Sequence, residues 1–252
     1  METILHHITD RSYGVVVRVF GLDLPITKHL MMLWIASAVV LAAFGFLAWR
    51  FSRRPEDPFP RGRFENLVEA FFQFIRDEFV RPNLGAHAAR FEPFFVALFC
   101  LILAMNLLGM VPGGAAATGN IAVTLGLALT VFVLGVSLGV IVHGPLGFLK
   151  HFVPSGLPWP LVPFMFVLEI IGFLMKHLVL AIRLFANMLA GHLVILAFLL
   201  LISMFQTILV APVSVGVAVA ISFLEIFVAF LQAYVFVMLS SLFVGMILHP
   251  EH

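Results

Sequence analysis

The sequence predicts an all-α polytopic membrane protein: five membrane-crossing helices and one interfacial amphipathic helix, the last two helices long, strongly tilted and folded back as an antiparallel hairpin. Three observations carry that expectation. Of 252 residues, 62% are hydrophobic and 11% charged, less than half the charged fraction of about 25% usual in soluble domains. Apolar runs of about 20 residues or more recur, the length that crosses a bilayer core. Finally, Arg183 stands in the middle of such a run, within Ala181-Ile182-Arg183-Leu184-Phe185-Ala186. A charge there costs roughly 2.5–3.5 kcal/mol on insertion scales and about 10–17 kcal/mol in simulations. A guanidinium cannot shed its proton, so Arg183 needs a partner, and the search for it organises the functional reading.

The elements follow in order along a single membrane domain, residues 1–252. Residues 1–28 form an outer N-terminal segment, without the basic, apolar and small-residue succession of a cleaved signal peptide. A first span covers 29–49. Behind it, Arg50, Arg53, Arg54, Arg61 and Arg63 alternate with Pro55, Pro58 and Pro60, which puts this linker in the cytoplasm and the N-terminus outside. In 64–81, Phe64, Leu67, Val68, Phe71, Phe72, Ile75 and Phe79 recur at helical spacing. Glu65, Glu69, Gln73, Arg76, Asp77 and Glu78 take the other faces, so this helix lies in the interface and ends at Pro82, Asn83 and Gly85. Spans over 91–111 and 120–142 are joined by Pro112 to Gly119, an outer loop with no basic residue. His143, Lys150 and His151 mark the cytoplasmic return, followed by Pro154, Gly156, Pro158 and Pro160. The remaining apolar stretch breaks plausibly only at Gln206 to Pro212. Four short spans or two long helices, 161–205 and 207–248, fit its length; the lack of turn residues near 181–190 and 225–235 favours two. Five crossings then leave the C-terminus in the cytoplasm.

Several functions are excluded. A net charge of +1, with no basic face interleaved with aromatics, offers nothing to nucleic acid. The lone Cys100 cannot form an intramolecular disulfide. No cofactor or metal is expected.

The polar residues of the last two helices form a pattern. Glu169, Lys176 and Arg183 are seven apart and Asn187 lies four beyond, so all four share nearly one helical face. Glu225 and Gln232, also seven apart, share a face of the last helix. In an antiparallel hairpin, Arg183 opposite Gln232 and His192 opposite Glu225 agree in register to within two residues, about 3 Å, with a turn near residue 208. This predicts an outer His192–Glu225 level roughly 10–14 Å from an Arg183–Gln232 level. Imidazole titrates near neutrality, so a histidine and a carboxylate at one level can relay protons. Arg183 cannot relay. It repels a continuous file of protons and attracts a carboxylate brought from outside the chain. Glu169 and Lys176 either pair at the cytoplasmic surface or belong to the path. Asn106 is a buried hydrogen-bonding group or a channel-lining one.

These residues carry a resemblance. Arg183-Leu184-Phe185-Ala186-Asn187-Met188 closely resembles the arginine motif of the subunit a family of rotary F-type ATP synthases, in its alphaproteobacterial and mitochondrial version. Asn106-Leu107-Leu108-Gly109-Met110-Val111-Pro112, Glu169 and Lys176 at matching offsets, and Leu231-Gln232-Ala233-Tyr234-Val235-Phe236 extend it over most of the chain. The resemblance implies a non-catalytic, proton-translocating stator subunit of a bacterial inner membrane. Its partners are a ring of c subunits, peripheral-stalk b-type subunits and the rest of the F1Fo complex, with H+ as the translocated ion. It implies two offset half-channels, Arg183 facing the ring carboxylate, Asn187 and Gln232 near that arginine, and His192 with Glu225 in the outer half-channel. Many bacterial relatives exchange the His and Glu at the last two positions, and many have Pro where this chain has His177. The resemblance also favours two long, inclined final helices.

Two other classes compete on the residues alone. A secondary transporter would pair Arg183 with an anionic substrate, but would show repeats or Gly/Pro-interrupted helices at the midplane. A haem-bearing anchor would need His pairs in facing spans, where only His192 and His177 lie deep.

Overall fold

A computed structural model describes residues 12–19, 22–53, 62–111, 114–153, 158–205 and 210–248. The arginine- and proline-rich linker from Arg54 to Arg61, Pro112 and Gly113, the breakers Pro154 and Gly156, the Gln206 end of the hairpin turn, and the C-terminal tail lie outside the described residues.

The membrane part is all-α, and among the described residues five helical stretches are long and apolar enough to cross a bilayer. Before it comes a feature the sequence reading did not anticipate, an antiparallel pair of strands, β1 (Ser12–Val19) and β2 (Leu22–Thr27). Helix α1 (Lys28–Ser52) follows directly, then α2 (Arg63–Ile75), which continues through a π-turn at Arg76–Val80 and a last turn at Arg81–Leu84. Next come α3 (Ala88–Gly109), α4 (Ile121–His151), α5 (Val162–Phe205) and α6 (Val210–Leu248). Two glycines turn the chain where other residues would be strained. Gly85, at φ 53°, ends α2, and Gly144, at φ 71° and followed by Pro145, kinks α4 after His143.

The chain divides into two compact units, each drawn from three stretches. One comprises Arg50–Phe99, Leu125–Ile182 and Tyr234–His252. In it, α2 folds back on the start of α3 because Arg76 forks onto Glu92 with two bonds of 2.7 Å, the geometry a planar guanidinium and a carboxylate share. Glu65, which the spacing put on a polar face, is instead buried and pairs with Arg50 at 2.9 Å. The first turn of α2 lies close to the end of α1, and a carboxylate near that cationic end gains more from its partner than from water. Phe64 and Leu67 stay exposed, as an interfacial helix requires. Phe71 meets Phe99 edge-on, while Phe74 and Phe79 stack about Tyr234, whose hydroxyl donates to Glu78 at 3.2 Å. The kink in α4 brings Phe148 onto Gly139, where any Cβ would strike its ring, and into a cluster with Phe152 and Ile247. His143 Nε2 donates to the Ile247 carbonyl at 2.9 Å, tying α4 to the last turn of α6.

The other unit comprises Met1–Trp49, Cys100–Thr124 and Arg183–Ala233. Its interior is small and tightly approached: Ala116, Met188 and Ala229 form one buried cluster. Asn106, fully buried, is its polar junction, donating to the Ala229 carbonyl at 3.3 Å and accepting from Thr118 Oγ1 at 2.7 Å. Satisfied at both ends of its amide, it joins α3, α6 and the loop before α4, as a buried polar group must be paired.

Candidate functional site

Helices α5 and α6 run antiparallel in the second unit, and His192 and Glu225 meet between them. Glu225 Oε1 lies 2.8 Å from His192 Nδ1, with the glutamate side chain 4% exposed and the histidine 32%. The ring is held from two more directions. Nδ1 lies 3.0 Å from the Met188 carbonyl and Nε2 3.0 Å from the Gly109 carbonyl. Carbonyl oxygens only accept, so both bonds are made at once only by a ring carrying both hydrogens. Nδ1–H is aligned with Met188, and Glu225 Oε1 sits close but off that axis, without a hydrogen bond of its own. A small rotation of the ring or carboxylate would align this contact as a hydrogen bond.

Two glycines make that contact possible. A Cβ on Gly191 would lie 2.7 Å from Glu225 Oε1, so the bare backbone leaves room for the carboxylate against α5. A Cβ on Gly109 would meet the Ala116 backbone at 2.5 Å, so the carbonyl that holds His192 is fixed by a close loop approach. Neither was singled out in the sequence. Gly191 carried only a weak signal, since an isolated glycine inside a helix costs about 1 kcal/mol against alanine and so asks for a packing reason. Gly191→Ala is expected to displace Glu225 and slow proton translocation several-fold in membrane vesicles. Gly216→Ala, where nothing lies within 4 Å of a new Cβ, should leave it near the unmodified rate.

The pair opens onto a cavity of about 330 Å³ within the same unit. Its polar wall consists of Lys28, His29, Ser222, His192 and Glu225, with backbone from Gly109 to Val111 and Gly114 to Ala116. Lys28 and His29 are further residues missed in the sequence, because they stand at the start of the first span, far from the polar stripe in sequence.

The Arg183 level differs from expectation. Gln232, 3% exposed, accepts at Oε1 from Asn187 Nδ2 at 2.8 Å, and not from Arg183. The physical reason is register. With His192 opposite Glu225, Gln232 falls opposite a point about two residues past Arg183, within reach of the short amide one turn further on. Arg183 is half-buried and has no hydrogen-bond or ion-pair partner among the described residues. Val179, Ile182 and Ala186, beside it on α5, are exposed and apolar.

Glu169 and Lys176 belong to the other unit. Both are exposed and do not pair with each other, but they line one small cavity of about 30 Å³ together with Phe173, Phe243 and Met246. Next to them His177 is buried among Phe132, Phe173 and Phe243, with Nδ1 donating to the Phe173 carbonyl at 3.0 Å. A proline there would lack the N–H that α5 uses; with histidine the helix runs unbroken.

The fold and site define a multi-pass membrane protein, helical throughout its membrane part, with a half-buried histidine against a buried carboxylate on an open cavity and a mid-helix arginine that has no partner among the described residues. Residues 30–245 match the ATP synthase A chain family, and the chain belongs to that family. It is similar to ATP synthase subunit a of Myxococcus xanthus, 46% identical over 232 residues that cover 92% of this chain and 75% of that protein. It is similar also to ATP synthase subunit a of Chloroherpeton thalassium, 41% identical over 260 residues, 98% of this chain and 77% of that protein. A third relative, ATP synthase subunit a 2 of Prosthecochloris aestuarii, is 41% identical over 256 residues, 97% and 78% of the two chains.

Proposed function

We propose that this chain is the non-catalytic, proton-translocating stator subunit of the membrane Fo sector of a bacterial ATP synthase, lodged in the inner membrane with its N-terminus periplasmic and its C-terminus cytoplasmic. Arg183 faces the carboxylate of a rotating c ring, draws it into ionised form and blocks a direct proton file. Protons reach the ring from the periplasm through the cavity of the His192–Glu225 pair. On the cytoplasmic side they leave past Glu169 and Lys176. Asn187 and Gln232 bond to each other beside Arg183 and so keep its donors for the ring. Asn106 acts through packing, holding the loop and α6 about the periplasmic path. The ring, peripheral-stalk b-type subunits and the rest of F1Fo are the partners.

The observation that carries this reading is the half-buried Arg183 without an acid among the described residues, beside an exposed apolar strip of α5. A permanent charge in a bilayer needs a counter-charge, and here it must come from another chain. An anionic substrate would meet the same need, but family membership weighs against a transporter. The test is disulfide crosslinking in a Cys100→Ala background, with cysteines at Val179, Ile182 or Ala186 and on a small two-helix proteolipid. Crosslinks to the proteolipid are expected at one or more positions. Their absence at all three, with the complex intact, overturns the reading.

A further inference from the structure

The periplasmic-side cavity combines the Glu225 carboxylate with backbone carbonyls, groups that ordinarily bind a metal cation, yet three of those carbonyls each already accept a side-chain N–H. Gly114 O accepts from Lys28 Nζ at 3.1 Å, Ala116 O from His29 Nδ1 at 2.8 Å, and Gly109 O from His192 Nε2 at 3.0 Å. All six residues line the cavity with Glu225, whose Oε1 lies 2.8 Å from His192. Hard cations such as Na+ and Ca2+ are held by several oxygens at once, and Mg2+ by a full octahedron. With the carbonyls capped, Glu225 is left as a single acid facing Lys28, His29 and His192, the titratable groups on the cavity wall.

We propose that Lys28 and His29 are specificity-determining residues that keep metal cations out of the proton path: their N–H donors stand against carbonyl oxygens that a metal ion would need and the Lys28 ammonium opposes its charge, while a proton, needing only one lone pair at a time, passes by way of the His192–Glu225 pair. This rests on the proton-path reading above. It assigns a selectivity step to the stator cavity itself, ahead of any choice made at the ring. Lys28 is suited to this because an ammonium is a compact point charge with donors that rotate onto a carbonyl. Its place at the first turn of α1, directly after β2, fixes it against the loop that carries Gly114 and Ala116.

The test uses the complete F1Fo complex in vesicles oriented so that the cavity side can be bathed in Na+ or in choline. The readout is the ratio of the proton-transport rate in Na+ to that in choline for each vesicle preparation. Lys28→Gln removes the ammonium charge and keeps an N–H donor for the Gly114 carbonyl, and His29→Leu removes the donor to the Ala116 carbonyl, so the two variants separate charge from hydrogen bonding. The ratio is expected to stay near one for the unmodified complex. It should fall for each variant, further for the double variant, with Na+ affinity rising on the order of tenfold when the Lys28 charge is removed. Lys28→Arg, which keeps the charge, should restore a ratio near one. Ratios that stay at one in both single variants overturn the proposal, and if one variant fails to assemble the other decides. A loss of transport as large in choline as in Na+ also overturns it, because the residues would then only hold the loop. If the unmodified complex conducts no protons in either medium, the proton-path reading fails instead.

Discussion

Arg183→Ala abolishes ATP-driven proton pumping while passive proton leak through the membrane sector persists. The expectation follows from Coulomb's law: two unit charges about 4 Å apart at an effective dielectric near 20 attract by about 4 kcal/mol. If Arg183 faces a ring carboxylate as proposed, losing that attraction shifts the ionised carboxylate against its protonated form by about three orders of magnitude, and the ring no longer surrenders its proton at this helix. With the fixed positive charge gone, nothing at position 183 repels a proton file, and leak continues. Dye-quenching of pumping in inverted vesicles and decay of an imposed pH gradient read the two halves separately. Pumping at the unmodified rate would contradict the role assigned to Arg183, and a sealed membrane would contradict its barrier role.

Single replacement of His192 or Glu225 by alanine should cut proton flux on the order of 10²-fold, the lower range of what one positioned acid–base group contributes. The double exchange His192→Glu with Glu225→His should retain more flux than either alanine variant. The contact of 2.8 Å joins the two side chains to each other, and the exchange rebuilds it from the opposite helices. The rebuilt pair will fall short of the original. Gly109 and Met188 carbonyls surround position 192, and a carboxylate placed there meets acceptors where the imidazole met partners. Equal loss in the exchange and in the single variants, measured as ATP-driven acidification, would argue against a functional pair.

The two levels of polar residues were legible because helical spacing projects residues seven apart onto one face, and an antiparallel hairpin turns that spacing into register. The same arithmetic set Gln232 against Arg183 when the amide of Asn187 takes it, at 2.8 Å. Backbone register places a side chain to about a turn, while its length and donor geometry choose the partner. Lys28 and His29 were illegible for another reason. Their meeting with Gly114 and Ala116 spans more than eighty residues and no periodicity encodes it. The strands at Ser12–Val19 and Leu22–Thr27 fall in what the sequence reading describes only as an outer N-terminal segment with scattered charges, although Val15-Val16-Val17 before Gly21 suits a strand and turn. Glu65 was read as a surface charge because spacing alone cannot see Arg50 waiting across the interface.

Among the described residues Arg183 has no hydrogen-bond or ion-pair partner and Gln232 Nε2 is buried without an acceptor, two groups that a finished interior would satisfy. Together they make the isolated chain locally frustrated: its lowest-energy packing leaves polar atoms that only neighbours or solvent can relieve. Such a chain has little reason to persist alone in a bilayer. Unpaired donors in hydrocarbon invite misassociation, so that the same atoms which on the proposed reading meet a neighbouring subunit also mark any copy that has failed to find one.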